Sequence, residues 1–155
     1  MVNRSVYYGR VDVRVDKAQF ELKNFTIVLL CPTAPFRRDQ DILKCIENFK
    51  KNNFDLVFTV SSQDSAMLKS GFVQGNRFIP VAEPEFTFMN RQDLPKLFRP
   101  NGAVYVFNGG WFEKSSGFNS NNVGVVEMPN ENSLDIDNQD DFDRVAQIYK
   151  KHSKN

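Results

Sequence analysis

The sequence predicts an α/β domain in three layers, built on a mixed, mainly parallel sheet. Three stretches predict it. Thr26 to Leu30 is a continuous β-favouring apolar run, as expected of a strand covered on both faces. From Asp39 to Lys51, residues Ile42, Leu43, Ile46 and Phe49 recur at helical spacing. Leu56 to Val60 is a second apolar β-favouring run. Together they form a strand-helix-strand unit, whose crossover is almost always right-handed. Ligands of such sheets bind beyond the carboxyl ends of the strands, where Cys31 to Pro35 falls.

Before this unit, Val11 to Val15 alternates as Val-Asp-Val-Arg-Val, which predicts a strand with one buried face. Within it, Cys-Pro-Thr-Ala-Pro stops the first strand, Asp39 is the expected N-cap and Asn52-Asn53 ends the helix. Ala66 to Ser70 and Asn76 to Val81 read as two short strands of a hairpin around Gly71 to Gly75. Pro95, Pro100 and Asn101-Gly102 predict a shaped loop from Pro95 to Gly102, because proline fixes φ and has no N–H while Asn-Gly favours positive φ. The loop leads into Ala103 to Phe107, a buried strand. Asn108-Gly109-Gly110 predicts a turn, Ser115 to Asn122 an exposed polar segment, and Val123 to Met128 a strand closed by Pro129. A final helix from Asn138 or Gln139 carries Phe142, Val145, Ala146 and Tyr149 on one face, followed by a solvated basic tail from Lys150 to Lys154.

At 155 residues, 41% hydrophobic and 25% charged, the chain has the size and composition of one soluble domain. Its formal net charge of +1, with both signs mixed along the chain, gives no electrostatic footprint for nucleic acid or an anionic membrane. No apolar run approaches bilayer length and the N-terminus lacks a signal-peptide core, so a cytoplasmic protein is expected. Cys31 and Cys45 lack metal-type spacing and are expected to be thiols. The sole histidine, His152, lies in the tail, which leaves a Ser-His-Asp or Cys-His arrangement without its base. Cys31 likewise has no identifiable basic partner to activate it.

Asp135-Ile136-Asp137 is the strongest chemical signal. In an extended segment both carboxylates share one face, about 6.5 to 7 Å apart along the backbone, while Ile136 turns inward. Such a pair suits Mg²⁺, which keeps water and substrate phosphates in its shell; the competing reading is that one aspartate caps the following helix. Arg91 and Arg99 flank the shaped loop and suit a bidentate grip on a carboxylate or phosphate; the competing reading pairs them with Asp93 and other surface acids.

Three stretches together resemble one enzyme family. Arg91-Gln-Asp-Leu-Pro95 with Phe98-Arg-Pro-Asn-Gly-Ala-Val-Tyr105, Leu30-Cys-Pro-Thr-Ala-Pro-Phe-Arg37 upstream, and Ser133-Leu-Asp-Ile-Asp137 downstream resemble, in order, the motifs of the acylneuraminate cytidylyltransferases, which make CMP-sialic and CMP-legionaminic acids. The resemblance covers about residues 25 to 150. It implies a Rossmann-like fold of the nucleotide-diphospho-sugar transferase type and a homodimer. It also implies Mg²⁺-dependent reaction of CTP with a nonulosonic acid such as N-acetylneuraminate or legionaminate, serving cell-surface polysaccharide synthesis. Asp135 and Asp137 would hold the metal, and one would take the hydroxyl proton. Lys69, Arg91 and Arg99 would meet the sugar carboxylate and phosphate, while Cys31, Thr33, Asn101 and Tyr105 shape the pocket and Phe118 reaches the sugar pocket of a partner subunit.

The chain also departs from the family. Cys31 stands where many members have glutamine, Ala34 where many have serine, and Asn119 where a second phenylalanine is usual. Members bind CTP with a glycine-rich basic loop near their N-terminus, whereas residues 1–24 contain Gly9 as their only glycine and match nothing. The expected organisation is therefore one domain over residues 1–155, N-terminally incomplete, with an exposed sheet edge to be covered by Val11 to Val15, a partner chain or a separate N-terminal fragment. Two functions stay open: a cytidylyltransferase, or a non-catalytic remnant that keeps the sugar-acid and metal half.

Overall fold

The computed structural model describes residues 6–8, 11–13, 25–115 and 117–152. Most of the unmatched N-terminal segment and the end of the basic tail lie outside these residues, as do positions 14 and 15 of the expected first strand. Val6–Tyr8 (β1) pairs antiparallel with Val11–Val13 (β2).

The main sheet has four strands. Thr26–Leu30 (β3), Leu56–Gln63 (β4), Leu97–Asn108 (β7) and Val123–Glu127 (β8) lie in the order β3-β7-β4-β8. β7 runs antiparallel to both neighbours and β8 runs parallel to β4, so the sheet is mixed and three of its strands share one direction. The expected strand-helix-strand unit is present, with the helix over Asp39–Asn52 (α1), but its two strands are not neighbours. β7 sits between them for a physical reason. Its residues 103, 104, 106 and 107 are buried, so it needs cover on both faces and on both edges, whereas β3 leaves Val28 and Leu30 partly exposed and suits an edge. Among the described residues nothing pairs with the outer edge of β3.

Val57, Ala103, Val104 and Val106 pack in one cluster with Cys45 of α1, Ala34 and Met128. Phe107 points the other way, into Phe112 and Phe118. Phe112 belongs to Gly109–Ser115 (α2), a short helix where the sequence predicted a turn. Asn108 makes the difference: its Oδ1 accepts the Trp111 N–H at 2.9 Å and caps the helix start.

Four further expectations are corrected. The N-cap of α1 is Arg38, not Asp39; its N–H and guanidinium both donate to the buried Asp41 carboxylate. Residues Ser65–Lys69 form a 3₁₀ helix rather than a strand, because Asp64 accepts the Ala66 N–H and starts a helical turn. The hairpin is therefore displaced to Gly71–Gln74 (β5) and Arg77–Pro80 (β6), around Gly75 at φ 59°. The stretch from Pro95 to Gly102 is strand from Leu97 onward, with its proline and Asn-Gly absorbed in a bulge that puts Gly102 at φ 77°. The last helix is Gln139–His152 (α3), but Phe142 and Tyr149 stand 55% and 68% exposed, so the expected packing stripe is largely unburied.

Candidate active site

The β7 bulge and the acidic segment after β8 enclose one pocket of about 490 Å³. From β7 come Arg99, Pro100, Asn101, Gly102 and Tyr105; from the other wall come Ser133, Leu134, Asp135, Asp137 and Asp141. Asp135 and Asp137 are exposed while Leu134 and Ile136 are half-buried, the alternation an extended segment produces. The first turn of α3 needs a cap for its free N–H groups. That task falls to Asn138, whose Oδ1 accepts the Asp141 N–H at 3.0 Å while Asp141 Oδ2 accepts the N–H groups of Asp137 and Asn138.

The wall is tied at several points. Ile136 N–H donates to Thr33 O at 3.0 Å, and Asn132 Nδ2 donates to Phe36 O at 3.2 Å, fastening the acidic segment to the loop after β3. That loop is joined to β7: Cys31 N–H donates to Ala103 O, and Arg37 Nη1 donates to both Cys31 O at 2.8 Å and Ala103 O at 3.0 Å. Cys31 Sγ lies 3.0 Å from Thr33 Oγ1. Burial pushes the Tyr105 phenol up, and neighbouring Cys31 and Asp135 act in the same direction.

Of the residues singled out from the sequence, Arg99, Asn101, Tyr105, Asp135 and Asp137 meet on this pocket. The Arg99 main chain pairs with Ser61 in the ladder, while its guanidinium has no hydrogen-bond or ion-pair partner among the described residues. Cys31 and Thr33 stand just behind the wall. Lys69 ends the 3₁₀ helix before β5, and Arg91 pairs with Asp64 at 2.9 Å, so neither is on the wall. Phe118 stacks on Tyr105 with ring centroids 5.2 Å apart and touches Phe107 and Phe112, inside its own subunit. Sequence reasoning missed Arg37, Thr59, Ser133 and Asp141. Only Asp141 carried a readable signal, an acid three residues after an N-cap asparagine.

Two exposed carboxylates beside open space fit a hard cation that keeps water or phosphate oxygens in its shell. Among the described residues no group of three or more His, Cys, Asp or Glu forms a cage made of protein ligands alone.

No protein-family profile matches the chain. Individual relatives do. Flagellin modification protein B of Campylobacter coli, a post-translational modification protein, is 27% identical over 135 residues, 86% of this chain and 55% of the relative. An N-acylneuraminate cytidylyltransferase of Streptococcus agalactiae serotype V is 28% identical over 123 residues, 79% of this chain and 30% of the enzyme. In sequence the chain is similar to the acylneuraminate cytidylyltransferases. A CMP-N,N'-diacetyllegionaminic acid synthase of Campylobacter jejuni agrees, at 29% identity over 70 residues, 45% of this chain and 29% of the synthase. The chain thus spans about half the length of the first of these relatives and under a third of the other two. No helix among the described residues is long and apolar enough to cross a membrane.

Proposed function

We propose that this chain forms the sugar-acid and metal side of a cytidylyltransferase site, joining a nonulosonic acid to CTP with release of pyrophosphate. The observation that carries the reading is the meeting of Arg99, Asp135 and Asp137 on one pocket. The anomeric hydroxyl forms a bond to the α-phosphorus of CTP, the bond to the bridging oxygen breaks, and pyrophosphate leaves. Asp135 or Asp137 accepts the hydroxyl proton. Arg99 pairs with the sugar carboxylate, for which its planar fork is the matching donor. Tyr105, whose phenol is protonated at neutral pH as any tyrosine's is, donates a hydrogen bond at the same wall. Mg²⁺ held by Asp135 and Asp137 would supply charge neutralisation for the phosphates.

The same reading includes a homodimer. β5 and β6 place Phe72 and Ile79 on one face and Val73 and Phe78 on the other, all of them exposed. A two-stranded hairpin with apolar side chains on both faces is marginal alone and gains stability when a second copy covers it. Light scattering on the chain and on Phe72→Ser tests this: a dimer that the substitution dissociates supports it, and a monomeric parent refutes it.

Calorimetric titration of CTP with Mg²⁺, and separately of N-acetylneuraminate and legionaminate, tests the site. Saturable binding that Asp135→Ala weakens at least about tenfold is expected, since one charged ligand contact is worth about 1.5–3 kcal/mol. Sugar-acid binding without any CTP binding would favour the non-catalytic alternative.

A further inference from the structure

Thr59 occupies a break in the β4–β7 ladder. Phe58 pairs with Tyr105 and Val60 with Pro100, so residues 101–104 of β7 lie opposite Thr59 alone. A bulge of this size removes ladder hydrogen bonds, and two side chains replace them. Thr59 Oγ1 accepts the Val104 N–H at 3.1 Å and donates to Asn101 Oδ1 at 2.6 Å. Asn101 Oδ1 also accepts the Ala103 N–H at 3.2 Å. A main-chain N–H can only donate, so the asparagine oxygen must face Thr59 and its Nδ2 must face the other way. There Nδ2 donates to Ser133 Oγ at 3.0 Å, and Ser133 Oγ donates to Pro129 O at 2.9 Å.

Thr59 is 1% exposed and Asn101 8%, so this chain of bonds runs from the sheet interior to the segment bearing Asp135. It leaves Asn101 little capacity for substrate, because both ends of its amide are engaged inside the protein. We propose that Thr59 is a positioning residue: through Asn101 and Ser133 it fixes where Asp135 stands relative to Arg99 across the pocket. The inference rests on the reading of that pocket as a metal and sugar-acid site only for what the positioned groups do. Valine at 59 would keep the shape but leave the buried Val104 N–H unpaired and leave Asn101 Oδ1 with the Ala103 N–H as its remaining donor.

The test compares Thr59→Val with Thr59→Ser, which keeps the hydroxyl. Amide exchange should rise about tenfold or more at Val104 and Ile136 in Thr59→Val, beyond any change at Val57 in the core, and stay within about threefold of the parent in Thr59→Ser. In a Mn²⁺ titration Thr59→Val should weaken binding about fivefold or more and Thr59→Ser should restore it. Ser133→Ala should raise exchange at Ile136 while leaving Val104 protected, and should abolish the effect of Thr59→Val on Mn²⁺ in the double variant. Ser133→Ala also carries the test by itself should Thr59→Val not fold. Uniform acceleration of all amides, or an Ile136 that does not respond to either change, overturns the proposal. A parent that binds no Mn²⁺ refutes the reading of the pocket, and the exchange comparison still decides the role of Thr59.

Discussion

Ile136 donates its main-chain N–H to the carbonyl of Thr33 over 3.0 Å, joining two segments more than a hundred residues apart in sequence. One hydrogen bond thereby locks the alternation that turns Asp135 and Asp137 to the pocket, because a slip of one residue would turn both away. The loop after β3 and the acidic segment are two parts of one wall.

Neutralising that wall should remove its affinity for cations. Asp135→Asn and Asp137→Asn each keep the shape of the side chain and delete its charge. Each should lower Mn²⁺ affinity by about tenfold or more and any turnover by about a hundredfold, while the thermal midpoint shifts little because both positions are exposed. Chelation of divalent ions should abolish turnover of the parent.

Arg99→Lys keeps the charge but loses the planar fork. An affinity for the sugar acid reduced about tenfold, with CTP affinity little changed, is expected from titration of each ligand separately. An equal loss for both ligands would move Arg99 to the phosphates.

Gly124→Ala should destabilise the fold. A Cβ at this position in β8 would lie 2.4 Å from Cδ2 of Phe54, whose ring packs against the core, so the cost expected from overpacking is about 1–3 kcal/mol in a denaturant titration. Phe54→Leu in the same chain should recover part of it.

Acid should release the start of α1. Burial raises the pKa of Asp41, but hydrogen bonds and charge from Arg38 outweigh it and hold the carboxyl below its ordinary range. A depressed folded pKa means that the stability is fully present above the unfolded value of about 4 and is lost as pH falls through the lower folded value. Asp41→Asn should therefore be less stable than the parent at pH 7, and the gap should close in strong acid.

The two thiols should differ sharply. Burial, with Asp41 adding to it, pushes Cys45 up to about 12, while Cys31 is half-buried behind the pocket wall. At neutral pH a thiol reagent should label one cysteine in the native chain and two after denaturation.

Much of this was legible in the sequence, and the limits have physical causes. The strands at Thr26, Leu56 and Val123 and the helix α1 announce themselves through local apolar periodicity. The facing of Asp135 and Asp137 follows from a period of two. The insertion of β7 between β3 and β4 was not legible, because sheet order depends on which strand needs cover on both edges. Arg91 pairs with Asp64, 27 residues away, and only the 3₁₀ turn at Ser65–Lys69 brings them together. Thr59 carries no local signal at all, since its role exists only where the bulge removes a ladder bond.

The most direct measurement is pyrophosphate release from CTP with Mg²⁺ and each of N-acetylneuraminate and legionaminate, for the parent and for Asp135→Asn. The account predicts release that depends on both the acid and the metal and falls about a hundredfold in the variant. Release that the variant retains in full, or none with either acid while both substrates bind, would contradict it.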